Sequence, residues 1–146
     1  MTLAELMATE QDFQETLARW EMEDQARDAR MKELDELDRL TEQARKMRQT
    51  YLIIPGKWAR IRVHYLEEEK PAQWIAQMEG VGAQGYLEDI EDHFSRMYQK
   101  MKEELMRKNG LNHEFQEKDF QGYTQAMMEL DEAITEYLTL QLTEQV

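Results

Sequence analysis

The chain has no cysteine, which excludes disulfides, thiolate zinc sites and cysteine nucleophiles together. That is compatible with a reducing compartment. Its 146 residues include only two prolines and six glycines, too few turn formers to punctuate an all-β fold. No apolar run in the sequence approaches the ~18 residues of a membrane-spanning helix. The N-terminal stretch MTLAELMATEQDF lacks the basic start and apolar centre of a signal peptide. A cytoplasmic protein that leaves membranes alone is the expectation. Basic residues are also short: 18 Lys and Arg stand against 31 Asp and Glu, a formal charge of −13. Such a surplus repels nucleic acid and membrane surfaces and favours basic partners.

What the sequence has in abundance is helical periodicity. Thr2 with Glu5 and Thr9 with Asp12 have capping-box spacing, so a helix starts at one of them. Leu3, Leu6, Phe13, Leu17 and Trp20 recur at helical intervals, fade across residues 21–30, and return as Met31, Leu34, Leu37, Ala44, Met47 and Tyr51. Acids sit four residues before bases at Glu15–Arg19, Glu23–Arg27, Asp28–Lys32, Asp35–Arg39 and Glu42–Lys46. Each such pair supports a helix by ~0.2–0.5 kcal/mol. With no Pro or Gly before Pro55, one long helix is expected, of roughly 45 residues and 65–70 Å. Part of so long a rod should protrude, pair with a second copy, or clamp a partner.

Ile53-Ile54-Pro55-Gly56 ends that helix, because the residue before proline avoids the α region and Pro-Gly suits a turn. A helix over 57–69 follows, with Trp58, Ile61 and Tyr65 on one face and Lys57, Arg60 and His64 on another. Pro71 opens a short helix that buries Trp74, Ile75 and Met78, and Gly80, Gly82 and Gly85 mark a turn. Leu87, Ile90, Phe94, Met97, Met101 and Leu105 form a strong stripe that runs to a C-cap at Asn109-Gly110. Residues 111–117 read as a connector with Asn112 available as an N-cap. The last helix spans about 118–142 through Phe120, Tyr123, Met127, Leu130, Ile134, Tyr137 and Leu138. Gly122 near its start costs about 1 kcal/mol relative to Ala and suggests a close helix crossing. The expected fold is all-α. A helical bundle over 53–146 carries a long, partly protruding N-terminal helix over 1–52, an arm of coiled-coil type.

The residues that carry chemistry elsewhere are dispersed. His64, His93 and His113 come from different elements and are preceded three residues earlier by Ile61, Ile90 and Gly110, so the Glu-x-x-His pattern of di-metal bundles is missing. Asp89 and His93 stand one helical turn apart, a pair too common to define a metal site. The GVGAQG stretch follows a helix, whereas a dinucleotide loop must follow a strand. Clusters such as Glu67-Glu68-Glu69 and Glu103-Glu104 read as solvated helix faces, because acid–base pairs need a cleft to separate their pKa values. No catalytic residue, cofactor or metal is expected, and an enzyme is the least favoured class. Met97, Met101, Met127 and Met128 fit core stripes, while Met22, Met31 and Met47 suit a partner surface.

Charge is distributed unevenly. Over residues 39–62, Arg39, Arg45, Lys46, Arg48, Lys57, Arg60 and Arg62 face Glu42 alone. Over residues 109–146, eight acids accompany only Lys118. The acidic candidates for partner binding are Glu129, Asp131, Glu132 and Glu136. Arg45, Arg48, Lys57, Arg60 and Arg62 are the basic alternative, and pairing with the chain's own carboxylates is the first expectation for them.

Gly56, Arg60, Arg62, Tyr65, Leu66 and Glu68, then Gly80, Tyr86, Leu87 and Ile90, then Gly110, Leu111, Met127, Leu130 and Glu136 carry a further pattern. Over roughly 56–142 the chain resembles the TnpV family of small proteins encoded in transposons and integrative elements. It departs at Glu69, where that family has His, and at Tyr123, Met128 and Asp131, where it has Trp and Asn or Arg; these changes turn a mixed-charge surface acidic. The resemblance implies a mobile-element context and offers no established catalytic residues to carry over. Mobile elements commonly carry small acidic proteins that block host defence enzymes. The expected function is therefore an anti-CRISPR-like inhibitor, in its extreme form a DNA mimic, that binds the basic surface of a nuclease effector. The alternative is a transposition or conjugation accessory that binds a recombinase or DNA through residues 39–62. Direct contact with nucleic acid is disfavoured by the net charge. A homodimer through Leu34, Leu37 and Met47 of the N-terminal helix is compatible with either.

Overall fold

Thr2 and Glu5 close the capping box that their spacing implies: the Thr2 N–H donates to Glu5 Oε2 at 3.1 Å and the Glu5 N–H to Thr2 Oγ1 at 3.2 Å. The computed structural model describes residues 2–144, so residues 1, 145 and 146 of the two expected segments lie outside it. From that cap, helix α1 runs Leu3–Tyr51. Thr9, the rival start, lies inside it and turns its hydroxyl onto the Glu5 carbonyl at 2.9 Å. The helices that follow are α2 (Lys57–Glu69), α3 (Pro71–Glu79), α4 (Ala83–Lys108), α5 (His113–Lys118) and α6 (Phe120–Glu144). No strand occurs among the described residues.

The chain divides into a unit ending at Leu40 and a unit beginning at Thr41. Among the described residues, the first is the Thr2 cap and the helix that follows it from Leu3. Its side chains are exposed apart from half-buried Thr16, Leu17 and Leu40, and Leu6, Phe13, Trp20, Met31 and Leu34 are each more than half exposed. The expected ladder of acid–base pairs forms differently. Arg27 turns to Asp24 at 3.6 Å and Arg39 to Glu36 at 2.6 Å, both three residues back. Of the five expected pairs only Glu42–Lys46 forms, at 3.9 Å. The arginine fork reaches a neighbour at i−3 as readily as one at i−4.

The second unit is built on α2, α4 and α6. Trp58 of α2, Phe94 of α4, and Leu130, Ile134, Leu138 and Leu142 of α6 form its buried cluster, closed by Leu111 from the α4–α5 link. Each fully buried large apolar side chain contributes roughly 1.5–3 kcal/mol. Ala44 brings the end of α1 into this unit with no exposed surface. Trp74 of α3 is equally enclosed and stands 6.4 Å from the ring of Tyr86. Met97, Met101 and Met127 pack against the cluster as expected. Met128 and Tyr137 do not: they are 54% and 49% exposed. Both fall off the Leu130–Ile134–Leu138–Leu142 series, whose four-residue steps define the inward stripe.

Three helix starts in this unit, those of α2, α5 and α6, are set by carboxylates or amides. Gly56 caps α2 without a side chain, and the Ala59 N–H instead donates to Glu91 Oε2 of α4 at 2.9 Å. Gly82, at φ +95, gives α4 a left-handed entry. The expected connector is mostly helix: Asn112 Oδ1 accepts from the Phe115 N–H at 2.9 Å and starts α5. Asp119 Oδ1 accepts from the Gly122 N–H at 3.0 Å and starts α6. Gly122 is therefore close to its own cap rather than to a crossing helix, since a Cβ there would meet the Asp119 carboxylate.

Candidate partner-binding surface

Inward residues of α6 dictate which of its acids face water. Glu129, Glu132 and Glu136 recur at three and four residues, on the side away from Leu130, Ile134 and Leu138, and all three are exposed. Glu129 accepts from Gln125 Nε2 at 3.1 Å. Asp131 lies apart from them. It sits on the flank toward α4, where the Tyr98 hydroxyl donates to its Oδ1. That hydrogen bond, followed by burial, pushes the Tyr98 phenol up to about 12. Among the described residues, no Lys, Arg or His lies within 4.0 Å of any of these four carboxylates.

Exposed apolar side chains flank the three glutamates. Met128, one turn before Glu132, is 54% exposed, and Leu140, one turn after Glu136, is 49% exposed. Sequence periodicity placed Met128 in the core, and Leu140 carried no functional signal. The signal available for both was their offset from the inward series. Glu129 to Glu136 spans ~10 Å of helix. Duplex DNA carries one charge per ~1.7 Å, about twice this density. The face is thus an acidic and apolar mixture rather than a row of charge.

The basic segment is largely tied down. Arg62 is 8% exposed; its Nε donates to the Tyr86 hydroxyl at 2.9 Å, its Nη1 to the Leu142 carbonyl at 2.7 Å, and its guanidinium lies 5.5 Å from the Tyr65 ring. One side chain so joins α2, α4 and the last turn of α6. Arg48 reaches Glu67 in a two-point contact, Nε to Oε1 at 2.7 Å and Nη2 to Oε2 at 3.4 Å. Glu67 is 3% exposed. Arg45, Lys57 and Arg60 are exposed. Arg45 pairs with Glu42 at 3.4 Å and the Lys57 ammonium lies 4.8 Å from the Trp58 ring.

Arg60 lines a groove of about 600 Å³ together with Arg48, Ile54, Ile61, His64, Glu67, Glu68 and Thr139. Arg48 and Glu67 offset each other within it, and His64 Nε2 lies 3.2 Å from Glu68 Oε1. Among the described residues, no group of three or more His, Asp or Glu side chains is placed to hold a metal ion. No described helix is long and apolar enough to cross a membrane.

No curated protein and no solved structure matches the chain. A family does. The match runs from the end of α1, before Ala44 and Arg48, through the Arg62 junction and the whole acidic face of α6. Residues 43–143 match the family described as transposon-encoded protein TnpV, and the chain belongs to that family.

Proposed function

We propose that this transposon-encoded protein is a non-enzymatic binding protein that occupies the basic, nucleic-acid-contacting surface of another protein, and that in its sharpest form it inhibits a defence nuclease in the manner of an anti-CRISPR. The observation that carries this reading is the outer face of α6. Glu129, Glu132 and Glu136 are exposed, lack a basic neighbour among the described residues, and are flanked by Met128 and Leu140. Carboxylates with no cation of their own chain beside them can sit against lysines and arginines that otherwise hold phosphates. The apolar flanks suit a protein partner, because exposed Met and Leu gain by leaving water and a nucleic-acid backbone offers them little. Arg48 and Arg62, by contrast, already have internal partners. That weakens the alternative of DNA contact through the basic segment.

Occupation of this kind is steered by charge and weakened by salt. The test is capture of nuclease effectors and recombinases from a host extract by the full-length protein at low and at raised salt. A basic nucleic-acid-binding protein should be retained at low salt and released at high salt. Glu129→Lys, Glu132→Lys and Glu136→Lys combined should weaken capture by at least about a hundredfold, since like charges across an interface cost several kcal/mol. Arg45→Glu, Lys57→Glu and Arg60→Glu combined should leave it intact. Recovery of no such protein at low salt, or a gel shift of element-end DNA lost in the second variant, would overturn the reading.

A further inference from the structure

One face of the helix in the unit ending at Leu40, half-buried at Leu17 and exposed beyond it, carries a register of its own. Leu17, Trp20, Asp24, Arg27, Met31 and Leu34 follow one another at alternating steps of three and four residues, the a and d spacing of a coiled-coil seam. Four apolar positions bracket one acid and one base. Within one chain Asp24 and Arg27 pair at 3.6 Å with their side chains 68% and 65% exposed. Trp20, Met31 and Leu34 are more than half exposed, and nothing within this unit covers them.

We propose that this face pairs with the same face of a second copy, antiparallel, with the two-fold axis between Asp24 and Arg27. In that register a and d positions alternate across the seam. Leu17 meets Leu34 of the second copy, Trp20 meets Met31, and Asp24 meets Arg27, each contact occurring twice. A parallel pair would stack Asp24 on Asp24 and Arg27 on Arg27. The charge pattern therefore selects the antiparallel arrangement. The flanking positions divide: Glu23 faces Arg30 of the second copy, while Glu21 faces Asp28. Four attractive charge pairs thus outnumber two repulsive ones, which makes the association real but salt-sensitive. It rests on the Asp24–Arg27 register alone and is independent of what α6 binds.

Sedimentation of the full-length protein should show a concentration-dependent dimer. Asp24→Arg places four cations at the centre and should weaken the dimer by about a hundredfold. Asp24→Arg combined with Arg27→Asp restores complementarity and should restore the dimer. Because the chain has no cysteine, Leu17→Cys with Leu34→Cys reads the register directly. The two sites lie ~25 Å apart along one helix and cannot bond within a chain. Oxidation should join residue 17 of one copy to residue 34 of the other. A monomer at all concentrations, an Asp24→Arg variant that dimerises as wild type, or disulfides joining 17 to 17 and 34 to 34 would each overturn the proposal.

Discussion

Tyr98 of α4 stands between two environments. Its ring lies 5.9 Å from that of Trp58 at the edge of the core, and its hydroxyl donates to Asp131 of α6. The carboxylate stabilises the protonated phenol, which is why the group is pushed up to about 12. In the unfolded chain tyrosine titrates near about 10. A group whose pKa is raised by folding contributes stability in full below its unfolded value and loses it as pH climbs through the folded one. Tyr98→Phe keeps the ring and removes the hydrogen bond. It should cost about 0.5–1.5 kcal/mol near neutral pH. In urea denaturation the gap between wild type and variant should then close between pH ~10 and about 12. A gap that stays constant across that window would show that the hydroxyl makes no net contribution. Arg48 and Glu67 illustrate a different bond between elements. Their contact is geometrically strong, yet desolvation offsets much of what the charges gain. Such a pair ties α2 to the last turn of α1 more than it adds to stability.

At the scale of the element, the starts of helices divide into those written locally and those written elsewhere. Thr2 with Glu5, Pro71, and Asn112 are local devices: at the first and last, donor and acceptor lie within four residues, and Pro71 brings a fixed φ suited to a first helical position. Asp119 was equally local, but Phe120 and Gly122 around it disguised the start of α6 and the role of the glycine. The cap of α2 could not be read at all: it comes from Glu91, on another helix. Arg48 with Glu67 belongs to the same class, since the partner lies beyond a turn and a proline. Residue periodicity thus places helices and their inward faces, while contacts between helices depend on a fold that no local window contains. The candidate surface followed the same rule. The exposure of Glu129, Glu132 and Glu136 was visible from the stripe opposite them, whereas the attachment of Asp131 to Tyr98 was not. Glu91 also explains Gly56, whose φ of 179 suits any residue. A Cβ at that position would meet the Glu91 carboxylate. Gly56→Ala should cost about 1–2 kcal/mol and Glu91→Ala about 1 kcal/mol by urea denaturation. Together they should cost less than the sum by about 0.5–1 kcal/mol, because the alanine then has no carboxylate to displace. Simple additivity would mean that the glycine is there for another reason.

For the molecule as a whole, the division after Leu40 separates two sources of stability. The unit beginning at Thr41 owns the apolar cluster of Trp58, Phe94, Ile134 and Leu138, so its backbone opens only when that cluster comes apart. Among the described residues, the unit ending at Leu40 fully buries no side chain. Its helix rests on intrinsic propensity and exposed ion pairs, which sustain an isolated helix only marginally. Native-state hydrogen exchange on the full-length protein should therefore be two-tiered. Amides from Leu3 to Leu40 should exchange rapidly at high dilution, while those of Val63, Ile134 and Leu138 should exchange only through global unfolding. If the proposed pairing holds, raising the protein concentration should slow exchange chiefly between Leu17 and Leu34 and leave the second tier unchanged, because mass action stabilises only what a second copy would cover. Equal protection of both tiers at high dilution would mean that the first forty residues draw on a source of stability other than self-pairing.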